Sequence, residues 1–498
     1  MRARSIVTAS YSATLLLSML AMSAMVSARP LIEAGNVVLR HDIQRLADAG
    51  LIVGTTSTWP MAWGSILADL ERADVTGLPR DLVDSLLRVQ SRGRAETQTG
   101  RILFSAHAGV ADETMRIRSF QSIPRGKAEV SAGLHWLGER LNIDLNMQGV
   151  DSAQDDDVLR FDHSMLGVVV GNWSVAASTQ ARWWGPAWDG SLILSNNARP
   201  IPALTFERLS TRAFESRWLS WIGPWDLSVM FGHLEKERAI PNAQYFAMRF
   251  NFRPVQSLEI GLSRSAQWCG DGRPCDLDTF ADLLIGNDNR GDAGVDFDTE
   301  PGNQLAGFDL RWTPAILGHS AAVYGQFIGE DEAGGFPSKW LGQVGAEWTS
   351  YWFDRWSTRL YAEIADTTCQ FYDSPANFNC AYNHGNYRTG YRFQGRSIGY
   401  AADNDARLAS LGLIMVDADN VQWRAIVRAG ELNRGGGADP ANTVTATSQD
   451  LLSVDLAHSQ TFFFGVIDIG AGYEMIDDFA SGESDNEAHF YVQWRSSF

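Results

Sequence analysis

From residue 101 onward, apolar and polar side chains alternate with a period of two. In RLNIDLNMQG, Leu141, Ile143, Leu145 and Met147 alternate with Asn142, Asp144, Asn146 and Gln148. FDLRW sets Phe308, Leu310 and Trp312 against Asp309 and Arg311, and WRAIVRAG sets Trp423, Ala425 and Val427 against Arg424 and Arg428. Successive side chains of a strand point to opposite faces, so each segment has one apolar and one charged face. A soluble sandwich also alternates. Here many polar faces carry charge, and Trp136, Trp218, Trp312, Trp348 and Trp494 stand near strand ends. Polar inside, apolar outside and aromatic at the rims is the membrane β-barrel pattern. Asp144, Asp309, Arg311, Arg424 and Arg428 then line the lumen, where they border a pore or pair across it.

The connections support this reading. Short turns are expected near Gly138-Glu139, Gly171-Asn172, Ile222-Gly223-Pro224, Arg253-Pro254, Pro314–His319, Tyr351–Arg355, Asp417–Asn420 and Ser459-Gln460. Long connections fall between them at 111–126, 150–158, 182–202, 234–243, 266–304, 329–338, 367–406, 431–449 and 474–487. Eight short turns alternating with nine long loops make eighteen strands, an even number with short periplasmic turns and long outer loops. The strand-like stretch 391–401 would break that parity and is placed inside the 367–406 loop. The last strand alternates Phe490, Val492 and Trp494 with Tyr491, Gln493 and Arg495 and closes on Phe498. Such an ending resembles the signal read by the outer-membrane assembly machinery.

Before residue 101 the period is helical. HDIQRLADAGLI gathers Ile43, Leu46 and Leu51 on one side and stops at Gly50. Ser57 or Thr58 is expected to cap a second helix holding Ile66, Leu67 and Leu70, and Pro79 opens a third with Leu82, Leu86 and Val89. Three such helices bury little core alone, so they are expected to dock on something larger. His41, within the first, reads as a surface residue. Arg2 and Arg4, an apolar core over 13–26 and Val26-Ser27-Ala28 read as an exported signal peptide. The expected division is therefore signal peptide 1–28, periplasmic helical bundle 29–100 and all-β, 18-stranded antiparallel outer-membrane barrel 101–498.

Composition narrows the partners. Asp and Glu number 59 against 41 Lys and Arg, a formal charge of -18. Such a surface argues against nucleic acid, whose phosphates need neutralising cations. No apolar run of 18 residues exists for a helical span, whereas alternating strands keep mean hydropathy low. Cys269 with Cys275 and Cys369 with Cys380 sit in loop-like sequence and fit two local disulfides in an oxidising compartment. Neither pair has zinc spacing. The loop 266–304 carries nine acidic residues against Arg273 and Arg290, and reads as a solvated acidic loop rather than a calcium site, since NDNRGD at 287–292 lacks EF-hand spacing. No GxSxG, HExxH, Walker loop or dinucleotide fingerprint is present. No catalytic residue, metal or cofactor is assigned.

The run WWGPAWDGSLILSNNARPIPALTFER at 183–208 resembles the most recognisable motif of the Wzi family of capsule-assembly outer-membrane proteins. HDIQRLADAGLI followed by STWP, PGNQLAGFDLRW at 301–312 and GRSIGYAADNDARLASLGL at 395–413 fit the same family. The resemblance implies an 18-stranded barrel with a small periplasmic helical bundle. It also implies a non-catalytic, lectin-like role in anchoring or organising capsular polysaccharide or exopolysaccharide. From the residues themselves, Trp183, Trp184 and Trp188 offer flat faces for pyranose rings. Asn196 and Asn197 suit hydroxyls, and Arg199 suits a uronate carboxylate. The same loop reads equally as an aromatic plug at the barrel mouth. Outer-membrane lipid is the other partner, the chain is taken as a monomer, and the rival function is a sugar-permeable porin, since eighteen strands enclose a water-filled pore unless something fills it.

Overall fold

The structure, a computed structural model, describes residues 31–152, 155–285, 302–314, 320–333, 336–437 and 442–497. The expected signal peptide and Phe498 lie outside them, as do most acidic residues of the 266–304 loop, NDNRGD included.

A closed antiparallel barrel accounts for most of the chain. Its strands are β1 (Ile102–Ala111), β2 (Ala128–Leu137), β3 (Leu141–Asp151), β4 (Met165–Val170), β5 (Trp173–Ser178) and β6 (Ala203–Arg208). There follow β7 (Trp225–His233), β8 (Gln244–Val255), β9 (Leu258–Trp268), β10 (Gly302–Trp312), β11 (Ala321–Ala333) and β12 (Phe336–Trp352). The last six are β13 (Trp356–Asp366), β14 (Arg407–Val416), β15 (Gln422–Leu432), β16 (Gln449–Phe462), β17 (Gly465–Asp478) and β18 (Ser484–Ser497). β18 pairs with β1 from Tyr491↔Ala111 to Ser497↔Ser105, so no strand edge is left open there. A two-residue strand, Leu159–Arg160, pairs beside β3 without adding a stave.

The alternation has the expected hand. Leu141, Leu145, Met147, Phe308, Trp312, Trp423 and Phe490 are exposed on the outer wall, while Asn142, Gln148, Asp309, Arg311, Arg428 and Gln493 are buried inside. Trp218, Trp312, Trp348 and Trp352 are exposed near the short-turn end, where aromatic rings favour a membrane interface. β13 pairs directly with β14 at Asp366↔Arg407, so all of 367–406 is one long connection. The 391–401 stretch contributes only a two-residue hairpin, Arg392–Phe393 with Arg396–Ser397, inside it.

The expected long connection 329–338 lies mostly within β11 and β12, which stay paired from Gly329↔Trp340 to Ala333↔Phe336, and the expected short turn at Ile222-Gly223-Pro224 is the end of a longer connection that begins after Arg208. Two further turns fall elsewhere than expected. β8 runs to Val255 and turns at Gln256-Ser257, with an irregularity between Phe252 and Val255. Pro254 is tolerated there because a bulge relieves the ladder of its missing donor. Arg253 faces inward and donates to the carbonyls of Ile52 and Gly54. The final short turn is Phe463-Phe464, not Ser459-Gln460. Ser459 is an inward strand residue whose hydroxyl donates to Asp468 at 2.8 Å, so its polarity marked the lumen and not a turn.

The helices α1 (Val37–Asp48), α2 (Trp63–Arg72) and α3 (Arg80–Glu96) close the short-turn end. Arg88 of α3 reaches the carbonyl of Asp417 in the β14–β15 turn, and Gln256 reaches the carbonyl of Ala47. Only Arg45 of α1 escapes burial. The sequence pattern predicts one buried face, but the polar face is buried too because the wall it meets is polar. His41 is fully buried, against the surface expectation; its ring contacts Ser357 at 2.9 Å and accepts from Arg359. Burial holds its imidazole well below the usual histidine range, helped by Arg359, Arg45 and Arg88. Neither Ser57 nor Thr58 caps α2, whose N-cap is Ala62. Their hydroxyls instead satisfy the lumen groups Glu259 and Arg249.

Candidate functional site

The segment between β5 and β6 folds back into the barrel. Trp183 and Trp184 pair in register with Trp59 and Thr58 of the N-terminal region, and Gly185 N–H donates to the Ser57 carbonyl at 3.0 Å. Positive φ at Gly185 and the Gln326 amide 2.9 Å from where a Cβ would stand leave room only for glycine. Asp189 is gripped by Arg428 of β15 at 2.8 Å, and the Trp188 and Asp189 N–H groups donate to the Glu363 carboxylate at 2.6 and 3.1 Å. From the outer side, the hydroxyls of Tyr382 and Tyr391 donate to the carbonyls of Leu192 and Ile193 at 2.7 and 2.8 Å.

All three expected sugar platforms are buried: Trp183, Trp184 and Trp188 have 0, 0 and 2% of their surface exposed. Phe120 lies edge-on to Trp183 and to Trp59, and the Arg40 guanidinium covers the Trp188 ring at 4.2 Å. Burial pulls the Arg40 pKa down to about 10 against the nearby carboxylates Glu363 and Glu347. Asn196 and Asn197 are buried as well, their amides donating to the Phe120 and Ser397 carbonyls. Arg199 is half-buried and pairs with Asp155, Asp157 and Asp162 at 2.7–2.9 Å. Burial opposes its charge, yet those carboxylates hold its pKa above the ordinary arginine value. Its guanidinium is thus committed within the protein, so a uronate would have to displace a carboxylate.

The lumen charges pair with one another and with the inserted segments. Arg311 binds Asp48 of α1 and Glu347, Arg249 binds Asp309, Arg424 binds Asp468, and Arg428 adds Asp455 to Asp189. Asp144 lies 3.8 Å from His135. Two cavities in the packed body, about 30 and 20 Å³, are the size of one or two waters. Cys269–Cys275 and Cys369–Cys380 are both bonded, in outer connections. Among the described residues no three His, Cys, Asp or Glu side chains gather as a metal site.

These features define an outer-membrane β-barrel of eighteen strands whose interior is filled from both ends. The family model described as capsule assembly protein Wzi matches residues 98–488. The chain belongs to that family. It is 31% identical over 332 residues to an uncharacterized 55.8 kDa protein in the cps region of Klebsiella pneumoniae, a match covering 66% of this chain; the chain spans 64% of that relative's length. It superposes on the solved structure of Wzi from Escherichia coli with a TM-score of 0.81 and 25% identity, over 94% of this chain and 99% of the other. That protein is described as an outer membrane protein involved in group 1 capsule assembly and as a carbohydrate binding β-barrel.

Proposed function

We propose that this protein anchors or organises a surface polysaccharide at the outer face of the outer membrane, as a lectin-like scaffold without a catalytic step. The observation that carries the proposal is the filled lumen. α1, paired Trp59–Trp183 and the 183–197 run occupy the space through which a sugar would have to pass. Among the described residues these segments fill the lumen, which counts against the porin, whereas the long outer connections present surface to a polymer. The carbohydrate-binding description of the Escherichia coli relative agrees. We place the helical bundle 29–100 in the periplasm after removal of residues 1–28, with the barrel inserted as a monomer by assembly machinery that reads the C-terminal strand.

A long repeating polymer meeting many copies of a protein gains avidity from weak contacts. Deleting the protein in its native host should therefore leave polymer synthesis intact but move polymer from cell pellet to medium. The measurement is the ratio of bound to released polysaccharide. An unchanged ratio accompanied by reduced sugar uptake would replace the anchor by the channel.

A further inference from the structure

The three tryptophans that the sequence offers to sugar are inside the plug, so a polymer must find other groups. Aromatic rings at the outer end that remain accessible include Tyr372 and Phe378, exposed by 59 and 37%. Both belong to the ring closed by Cys369–Cys380, and their surroundings are unusually fixed for a surface loop. Cys369 is fully buried and bridges to Asn377 as a short hairpin. Gln370 N–H donates to the Trp340 carbonyl at 3.0 Å, and Asn379 N–H donates to the Asp405 carboxylate at 2.7 Å. Just beyond the ring, Tyr382 and Tyr387 are buried and donate to the carbonyls of Leu192 and Cys269. Gln370, Asn379, Tyr382, Asp403, Asp405 and Asn433 all hold positive φ without being glycine. Conformations of that kind persist only where surrounding structure imposes them, and they gather at ligand-binding sites.

The floor beside Phe378 is bare backbone. A Cβ on Gly435 would stand 2.7 Å from Phe378 Cβ and 3.1 Å from Asn379 Nδ2, so that position excludes a side chain. Gly436 has open space around it. Arg434 lies with its guanidinium carbon 5.4 Å from the Phe378 centroid. A flat apolar ring beside the Asn379 amide, the Asp405 carboxylate and the Arg434 guanidinium matches what a pyranose presents, an apolar C–H face edged by hydroxyls. Tyr with Asn and Gly is also the composition by which recognition loops gain contact area and adaptable hydrogen bonding at low entropic cost, and a pinned loop loses little freedom on binding.

We infer that the disulfide-closed loop 369–380, with Tyr372, Phe378, Asn379 and the Gly435 backbone, is a carbohydrate-contact site, and that its occupant is the polysaccharide retained at the cell surface. This rests on the anchoring role proposed above. A lipopolysaccharide core offers similar sugars, so the test separates the two sources.

The full-length protein in detergent micelles, under non-reducing conditions, is titrated with end-labelled, size-fractionated polysaccharide shed by the producing strain. Lipopolysaccharide purified from the same strain is the second probe. The Tyr372→Ala/Phe378→Ala double variant should bind the polysaccharide at least tenfold more weakly, with heat-modifiable gel mobility unchanged. Tyr372→Phe should bind as wild type, and Trp218→Ala, exposed at the opposite end, should behave likewise. If the double variant fails to assemble, Tyr372→Ala alone carries the test, expected to weaken binding severalfold. Unchanged polysaccharide binding by the alanine variants overturns this site while leaving the anchor in place. A loss seen only with lipopolysaccharide overturns the assigned occupant. No polysaccharide binding by the wild type overturns the anchor, and this site with it.

Discussion

Arg40 of α1 and Trp188 of the plug join the two ends of the molecule inside the barrel. The guanidinium carbon lies 4.2 Å from the indole centroid, and Nη2 donates to the carbonyls of Pro186 and Ala187 at 2.8 and 2.9 Å. Arg359 of β13 covers the same indole at 4.6 Å. A desolvated cation over an indole is worth about 2 kcal/mol, and each hydrogen bond to a charged group adds about 1.5–3 kcal/mol. The helical bundle and the plug therefore behave as one packed insert rather than as two independent lids.

One consequence is electrical. Purified protein in a planar bilayer should show no steady large openings. Arg40→Ala combined with Asp189→Ala removes the joint and the grip of Arg428, and should produce intermittent openings. Steady wild-type conductance of porin size would show that the insert leaves the lumen in solution.

The Asp189–Arg428 pair gives an ordered stability prediction. Removing one partner of a buried pair costs about 3–5 kcal/mol, because the other charge is stranded. In Asp189→Ala, Arg428 keeps Asp455 at 2.6 Å, so the loss should sit at or below the lower end of that range. Arg428→Ala strands the Asp189 carboxylate and takes a partner from Asp455, so it should be the more damaging. Denaturant unfolding in micelles gives the order; equal or reversed losses would contradict the pairing.

How much of this was legible beforehand depends on which physical signal each feature sends. The barrel was, because alternation over segments such as Leu141–Gln148 reports both faces of each strand. The 367–406 connection was as well, since strand parity alone kept 391–401 out of the wall. The plug was only half legible. Trp, Asn and Arg are as useful for filling a polar lumen as for holding a sugar, and the choice turns on whether Trp59 and Arg40 reach them, contacts more than a hundred residues apart. His41 misled for a related reason: a polar helical face signals water unless a polar wall covers it. Nothing in the sequence marked Phe463-Phe464 as a turn, since Phe463 holds a φ of 53° that bulky residues rarely adopt. Tyr372 and Phe378 were passed over because they lie within a long loop whose anchors, Asp405 and Leu192, are distant in sequence.

Asp405 should impose a pH dependence on the outer connections. Burial pushes its carboxyl up to about 6 from 3.8, against hydrogen bonds from Asn379 N–H and the Asn404 amide. Between those values the folded chain holds a proton that the unfolded chain has lost, so stability falls as pH rises through 6. The contribution is complete below 3.8 and gone well above 6, at most ~3 kcal/mol for a shift of about two units. Asp405→Asn imitates the neutral form. Its thermal midpoint relative to wild type should be unchanged near pH 4 and higher above pH 7; a difference independent of pH would refute the assignment.

Trp183 discriminates most directly between packing and sugar contact within the plug. Its ring is fully buried against Phe120 and paired to Trp59, and truncating such a Trp to Ala costs about 3–5 kcal/mol. Trp183→Ala should therefore loosen the insert, exposing Arg182 to trypsin in the assembled barrel, while Trp183→Phe does so far less. Any accompanying fall in polymer retention should track the protease sensitivity, because the outer loops rest on the plug through Tyr382, Tyr391 and Asn197. Trp218→Ala, at the lipid-facing rim with 76% of its surface exposed, should leave both readouts alone. A Trp183→Ala protein that resists trypsin as wild type does, yet loses polymer, would mean that this ring meets sugar directly and that the plug opens to admit it.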